Sequence, residues 1–307
     1  MVSDRNDKLI LIAGGDADPN LQALLHGIRQ QGLSYHALLV GANSHPCITW
    51  DMASNQLLLD GAVIHPKAAF IRHDVFTQLA DQKAASSHRS LSWYTAIMGW
   101  LLSNPDIKLL NRHVLQRLLN KPYILHLAQQ VGLKIPTTLI TNDLAQLSEW
   151  ATVQPMIAKP INGGGYCQSL DQLLMQTPHM GSTAAAPAIV QSQLIQPDVR
   201  VYGVGQNFFA FAITSNALDY RSTQNLQLEP IETVPADLLL GLKRLMEALQ
   251  LDFGAADFKT CPETGCLRFL EINSSPMFAA FDQADNQKIN RAILAYLTSE
   301  VSTTKLS

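Results

Sequence analysis

Two carboxylates and an amide fall close together in the segment Phe253–Met277, FGAADFKTCPETGCLRFLEINSSPM. Gly254–Phe258 and Leu267–Asn273 read as strands, and Pro262-Glu263-Thr264-Gly265 between them is turn chemistry, so the pair predicts a hairpin. Centred near Thr264, that hairpin sets Asp257 opposite or nearly opposite Glu271. Side chains alternate along a strand, so Glu271 and Asn273 share one face while Leu270 and Ile272 point the other way into a core. Three oxygen ligands on one face, two of them anionic, suit a hard cation such as Mg²⁺ that keeps waters and bridges to nucleotide phosphates. The same residues also fit an edge hairpin whose polar side faces water.

A second group is Lys159 followed by Pro160-Ile161-Asn162-Gly163-Gly164-Gly165. A lysine at a strand end offers a point charge to a phosphate, and glycines let backbone N–H groups approach the same anion. The order G-x-x-x-x-G-K-[ST] is absent, and a surface loop is the alternative reading. Arg72-His73-Asp74 follows a short strand, Ala68–Arg72, and strand ends are favoured site positions in open α/β sheets. A local surface ion pair between Arg72 and Asp74 is the competing account. Trp93, Tyr94 and Trp100 read as core, and His113 and His126 as ordinary helix residues. No G-x-S-x-G elbow and no cysteine with an evident histidine partner is present, which speaks against a protein nucleophile.

These residues need a scaffold, and the chain has the length for two or three units at 307 residues. A hydrophobic content of 47% with 15% charged residues describes a packed protein. The net charge of −3 argues against a nucleic-acid-binding surface. No run of 18 apolar residues occurs, the N-terminus carries acids where a signal peptide needs bases, and the expectation is a cytoplasmic protein without a membrane partner. Cys47, Cys167, Cys261 and Cys266 are too scattered for a disulfide framework, and Cys261 and Cys266 read as neighbouring reduced thiols beside the turn. Lys8–Ala13, a helical pattern through Leu21, Leu24, Leu25 and Ile28, and His36–Val40 form a βαβ start. Gly14-Gly15 within it lacks G-x-G-x-x-G spacing. Helices follow over Ser90–Leu102, Lys121–Gln130 and Ala236–Leu249, with strands at Pro155–Lys159, Ala188–Ile195, Arg200–Val204 and Phe208–Ile213.

Taken in order, Asn120-Lys121, Lys159 with its glycines, Val190–Ile195, Asp198–Gly205, Asp219-Tyr220-Arg221, Asp257 and Glu271-Ile272-Asn273 form a set. The set resembles the ATP-grasp superfamily, particularly the branch with ribosomal-protein glutamate ligase and the macrocyclases of graspetide (microviridin-type) peptides. The resemblance runs from Asn111 to Phe281. It implies an α/β (α+β) chain with the ATP-grasp fold behind an N-terminal Rossmann-like pre-ATP-grasp domain. The implied division is 1–110 for that domain, 111–196 for the central lid subdomain and 197–307 for the C-terminal subdomain with the Mg site.

The resemblance also implies roles. Lys121 and Lys159 hold the nucleotide phosphates, and Gly163, Gly164 and Gly165 close over them. Gln191, Ser192, Gln193, Leu194 and Ile195 form the hinge strand against adenine and ribose, with Ser192 or Gln193 standing where family members often carry glutamate. Arg200 and Arg221 lie near the transferred phosphate, and Arg72 faces the acceptor substrate. Asp257, Glu271 and Asn273 are the Mg²⁺ ligands, in agreement with the hairpin geometry. The implied activity is an ATP- and Mg²⁺-dependent carboxylate–amine (or carboxylate–hydroxyl) ligase acting through an acyl phosphate on a peptide or small-molecule substrate, with a homodimer as the oligomeric expectation. An ATP-grasp kinase, or a nucleotide-binding accessory protein without turnover, are the alternatives.

Overall fold

A computed structural model of the chain describes residues 9–41, 45–76, 83–114, 119–162, 167–176, 182–215 and 227–300. Its contacts divide into two compact units, Met1–Arg112 with Met277–Ser307, and His113–Pro276.

The first unit begins with β1 (Ile10–Gly15), α1 (Pro19–Gln30) and β2 (Tyr35–Val40). A small antiparallel meander, β3 (Ile48–Asp51), β4 (Gln56–Leu59) and β5 (Ala62–Val63), was not legible in the sequence. After it come β6 (Ala68–Ile71), α2 (Ala84–Leu102) and β7 (Lys108–Leu109). The parallel sheet runs β2-β1-β6-β7. β1 is buried along both faces, as a parallel strand covered on two sides must be. Leu11 and Ala13 pack on Ile97, Trp100 and Leu101 of α2. The Gly14-Gly15 pair is explained by packing: a Cβ on Gly14 would lie 2.8 Å from the Arg72 carbonyl oxygen, and one on Gly15 2.4 Å from the Asp74 carboxyl carbon.

The second unit opens with α3 (Lys121–Gln130), whose N-cap Asn120 accepts the Tyr123 N–H at 3.1 Å. Then follow β8 (Thr138–Asp143), α4 (Leu144–Val153), β9 (Met156–Pro160), β10 (Gln168–Ser169), α5 (Leu170–Gln176) and β11 (Thr183–Ser192). These strands form an antiparallel sheet in the order β10-β9-β11-β8. Leu144 and Leu147 of α4 and Leu170 of α5 cover one of its faces, against Met156, Ala158 and Val190. A five-stranded antiparallel sheet, β14-β13-β12-β15-β16, completes the unit. Its strands are β12 (Ile195–Val204), β13 (Asn207–Thr214), β14 (Gln227–Ile231), β15 (Phe253–Thr260) and β16 (Leu267–Asn273). α6 (Ala236–Ala248) and α3 pack on it through Leu242, Leu245, Ile124 and Leu125 against Val199, Val201, Phe258 and Phe269.

The segment read as one strand, Ala188–Ile195, is divided. β11 ends at Ser192, and Ile195 already belongs to β12, where it pairs with Thr260. Gln193 N–H donates to the Pro155 carbonyl at 2.9 Å, so the chain turns out of one sheet at Gln193-Leu194 and enters the next.

The chain then returns to the first unit with α7 (Ala279–Ala284) and α8 (Lys288–Thr298). Asn20, buried on α1, accepts the N–H groups of Phe278 and Ala279 at 2.6 and 2.9 Å and so pins the start of α7. No helix among the described residues is long and apolar enough to cross a membrane.

Candidate active site

Lys121, Lys159, Glu271 and Asn273 line one cavity of about 220 Å³, together with Leu119, Ile124, Leu125 and Ser274. Each reaches it by a different local device. Lys121 is the first residue of α3, where Pro122 is tolerated because the first-turn N–H has no helical acceptor. A helix start also carries partial positive charge, which adds to the ammonium. Lys159 stands near the end of β9, opposite Ile189 of β11. Glu271 and Asn273 end β16, which lies beside α3.

The hairpin has the expected register: Asp257 is opposite Glu271 and Ala255 opposite Asn273. One detail departs from strict alternation. The ladder goes from Asp257↔Glu271 to Phe258↔Phe269, which leaves Leu270 as the extra residue of a bulge. Leu270 therefore does not join the core as alternation predicted; it lines the cavity. The bulge reverses the phase of β16, so that Phe269 enters the core edge-on to Phe258 at 5.7 Å between ring centroids while Glu271 keeps the cavity side.

Behind Glu271, β12 and β15 carry two buried ion pairs. Arg200 Nε is 3.5 Å from Asp257 Oδ1, both side chains about nine-tenths buried. Lys259 Nζ is 3.2 Å from Asp198 Oδ2. Lys259 was not singled out in the sequence. Its signal was there in the spacing, since Asp198 and Arg200 are two apart on β12 and Asp257 and Lys259 two apart on β15, but only the register Asp198↔Lys259 and Arg200↔Asp257 turns spacing into pairs. Ion pairs this deep hold their geometry because neither charge returns to water without cost.

The donor set fits a hard divalent cation. Asp257 and Glu271 are paired across the hairpin, and Asn273 follows on the cavity side. Among the described residues no three His, Cys, Asp or Glu side chains cluster, so an ion here would rest on two carboxylates, an amide oxygen and water or phosphate oxygens.

The other expected residues fall out differently. Gly163, Gly164, Gly165 and Arg221 lie outside the described residues. On the hinge segment Gln191 and Leu194 are buried, Ser192 and Gln193 half-buried, and Ile195 exposed. Arg72 is not a solvent-facing group. Its Nε is 2.7 Å from Asp18 Oδ2, with 4% of the side chain exposed, and Asp18 caps α1. Arg72 is thus held in a buried ion pair of the first unit, and Asp74 accepts the Phe76 N–H at 3.0 Å. Trp100 is core as expected, and Tyr94 stacks edge-on to His73 at 5.6 Å. None of the four cysteines is in a disulfide, and the Cys261 N–H donates to the Cys266 carbonyl at 2.9 Å.

No family model and no curated protein matches the sequence. Solved structures do match the fold. The ATP-grasp ligase PsnB, complexed with a phosphomimetic variant of a minimal precursor, Mg and ADP, superposes with a TM-score of 0.72 at 23% identity, over 95% of this chain and 98% of that one. A RiPP-associated ATP-grasp ligase of Chryseobacterium gregarium, in complex with ADP and a leader and core peptide, gives 0.69 at 20% identity, over 94% and 96%. The macrocyclase MdnC of Microcystis aeruginosa MRC, bound with its precursor peptide MdnA, gives 0.66 at 19% identity, over 95% and 100%. With both antiparallel sheets, the cavity residues and the hairpin register already in place, these near full-length superpositions give the chain the ATP-grasp fold.

Proposed function

We propose that the chain is an ATP- and Mg²⁺-dependent ligase that joins a carboxylate to an amine or hydroxyl, with a peptide as substrate. The observation that carries this reading is the single cavity gathering Lys121, Lys159, Glu271 and Asn273. Two lysines sharing a cavity with a carboxylate and an amide form a site for a polyanion that arrives with its own divalent cation. The similar structures described as complexes with ADP, Mg or precursor peptides support the nucleotide, the metal and the peptide.

In this reading Lys121 and Lys159 hold the phosphates, and Gly163, Gly164 and Gly165 close over them. Asp257, Glu271 and Asn273 hold Mg²⁺, which when bound neutralises charge on the phosphate oxygens. The hinge segment Gln191–Ile195 seats the base and ribose. Arg200 and Arg221 face the transferred phosphoryl group, where a planar, permanently charged guanidinium can hold two oxygens at once. The substrate carboxylate attacks the terminal phosphorus, ADP leaves, and the amine or hydroxyl then displaces phosphate from the acyl phosphate. The protein supplies alignment and charge, not a nucleophile. Three parts, 1–110, 111–196 and 197–307, remain our functional division, with a cytoplasmic location and a homodimer as its setting.

The test is ADP release from Mg·ATP by the purified chain, with peptides bearing Asp or Glu side chains and Lys, Ser or Thr acceptors. We expect release to depend on the peptide and to yield a product lighter by one water. A phosphorylated hydroxyl as the product would make the chain a kinase. Mg·ATP binding without turnover on any peptide would make it a binding protein.

A further inference from the structure

Asp198 and Arg200 on β12 and Asp257 and Lys259 on β15 form a block of four charges in alternating sign. Asp198 is opposite Lys259, and Arg200 opposite Asp257. Val199 and Phe258, the residues between them, belong to the core under α3 and α6. Side chains alternate along a strand, so the four charged ones share the other side of the sheet. Each of the four is about nine-tenths buried. An ammonium this far from water needs an anion, and Lys259 Nζ has Asp198 Oδ2 at 3.2 Å. The roles given above to Arg200 and Asp257 leave this second pair without one.

The two pairs meet at Asp257. It is opposite Glu271 on one side and Arg200 on the other, and Lys259 is two residues along its own strand, about 7 Å away. Arg200 Nε already lies 3.5 Å from Asp257 Oδ1. A second cation drawn to this carboxylate would take up the oxygen that a divalent metal needs. Lysine is the side chain suited to such a move, because its ammonium is a compact charge on a flexible four-carbon stem. Arg268 is opposite Lys259 on β16, and its guanidinium, 3.7 Å from Cys261 Sγ, reaches toward the turn. Asp198 is thus the carboxylate on the rung of Lys259 that holds the ammonium away from Asp257.

We propose that Asp198 is a positioning residue for the metal: it holds the Lys259 ammonium on its own rung and so keeps Asp257 available to a divalent cation. This rests on the Mg²⁺-dependent reading above and gives a role to two residues outside the proposed ligand set. The pair is neutral as a whole, so its removal as a pair changes the field at Asp257 little. Loss of Asp198 alone puts an unpaired cation beside a metal ligand, and loss of Lys259 alone takes a cation away from it. The two single substitutions therefore act on metal binding in opposite directions. A pair that only held the sheet together would weaken the site when broken from either side.

The experiment is equilibrium binding of ADP to the full chain with and without Mg²⁺; the ratio of the two affinities is the gain that the metal supplies. In Asp198→Asn the gain should fall about tenfold or more, because a unit charge moves from about 7 Å to contact with Asp257. In Lys259→Met the gain should be at least that of the wild type. In the double variant Asp198→Asn/Lys259→Met it should return to within about threefold of the wild type, with a thermal midpoint above that of either single variant. An undiminished gain in Asp198→Asn, a reduced gain in Lys259→Met, or a double variant as poor as Asp198→Asn would overturn the assignment and leave the ligase reading standing. Lys259→Met and the double variant decide the case where Asp198→Asn does not fold. A wild type that binds ADP no better with Mg²⁺ than without it would overturn the metal site and the assignment with it.

Discussion

Asp257 and Glu271 face each other across a hairpin, and the two acids answer to different neighbours. Glu271 opens onto the cavity with Lys121 and Lys159, whereas Asp257 is buried against Arg200. Glu271→Gln removes one negative ligand at nearly constant volume, and we expect turnover of ATP to fall by about a hundredfold or more with the thermal midpoint little changed. ADP release and a melting curve on the same preparation check both halves. Asp257→Asn should lose as much activity and also stability, since it leaves the Arg200 guanidinium facing a neutral amide in a buried place. Lys159→Met should weaken binding of Mg·ADP by about tenfold or more, since it takes one cation from the phosphate site. Glu271 and Asn273 were legible beside Asp257 because strand alternation and a turn bring them close, whereas Lys121 came into view only through the resemblance. The burial of Arg72 was not legible for the opposite reason: its partner Asp18 lies 54 residues away on a different element, and no local pattern announces such a pair.

The bulge at Leu270 shows why alternation alone is insufficient, because one extra residue sends Phe269 inward while Glu271 keeps its side. The division at Gln193-Leu194 was hidden because the apolar and β-prone residues continue through the turn, and only pairing reveals that they serve two sheets. Gly14 has φ of +149°, and a Cβ there would meet Leu21 and the Arg72 carbonyl. Gly14→Ala should therefore lower stability by about 1–3 kcal/mol, read from denaturant unfolding of the chain. The end of the chain offers a pH test. Burial pushes the Asp282 carboxyl above the usual carboxylate range, against the pull of the Asn290 and Ile289 N–H groups and of Arg291. A raised pKa means the folded chain binds this proton more tightly than the unfolded one. Its contribution is present at low pH and is lost as pH rises above about 4, the ordinary value, through the folded value. Asp282→Asn can still accept the Asn290 N–H, which Asp282 accepts at 2.9 Å, without a charge to desolvate. Melting temperatures across that range should decline less in the variant than in the wild type; parallel profiles would remove Asp282 as the cause.

For the whole molecule, the βαβ start, the helix Lys121–Gln130 and the hairpin of Asp257 and Glu271 could be read from periodicity and turn residues, while the fold class came with the resemblance. The assignment of Met277–Ser307 to the first unit could not, because it rests on contacts more than 250 residues apart in the chain, among them Asn20 accepting the Phe278 and Ala279 N–H groups and Asn290 Nδ2 donating to the Ala23 carbonyl. Charge sets the expected response to nucleotide. Hydrogen exchange at Lys159 and the residues after it should slow when Mg·ADP is added, since phosphate draws together cations that otherwise repel. Equal exchange with and without nucleotide would count against the phosphate site. The most direct measurement of the central claim is chemical trapping of the activated carboxylate. The chain would be incubated with Mg·ATP, hydroxylamine and the panel of Asp- and Glu-containing peptides, and the peptides analysed by mass spectrometry. The account predicts a hydroxamate on a carboxyl side chain, formed with stoichiometric ADP and lost in Glu271→Gln. ADP formed with a stable phosphorylated hydroxyl and no hydroxamate on any peptide would contradict it.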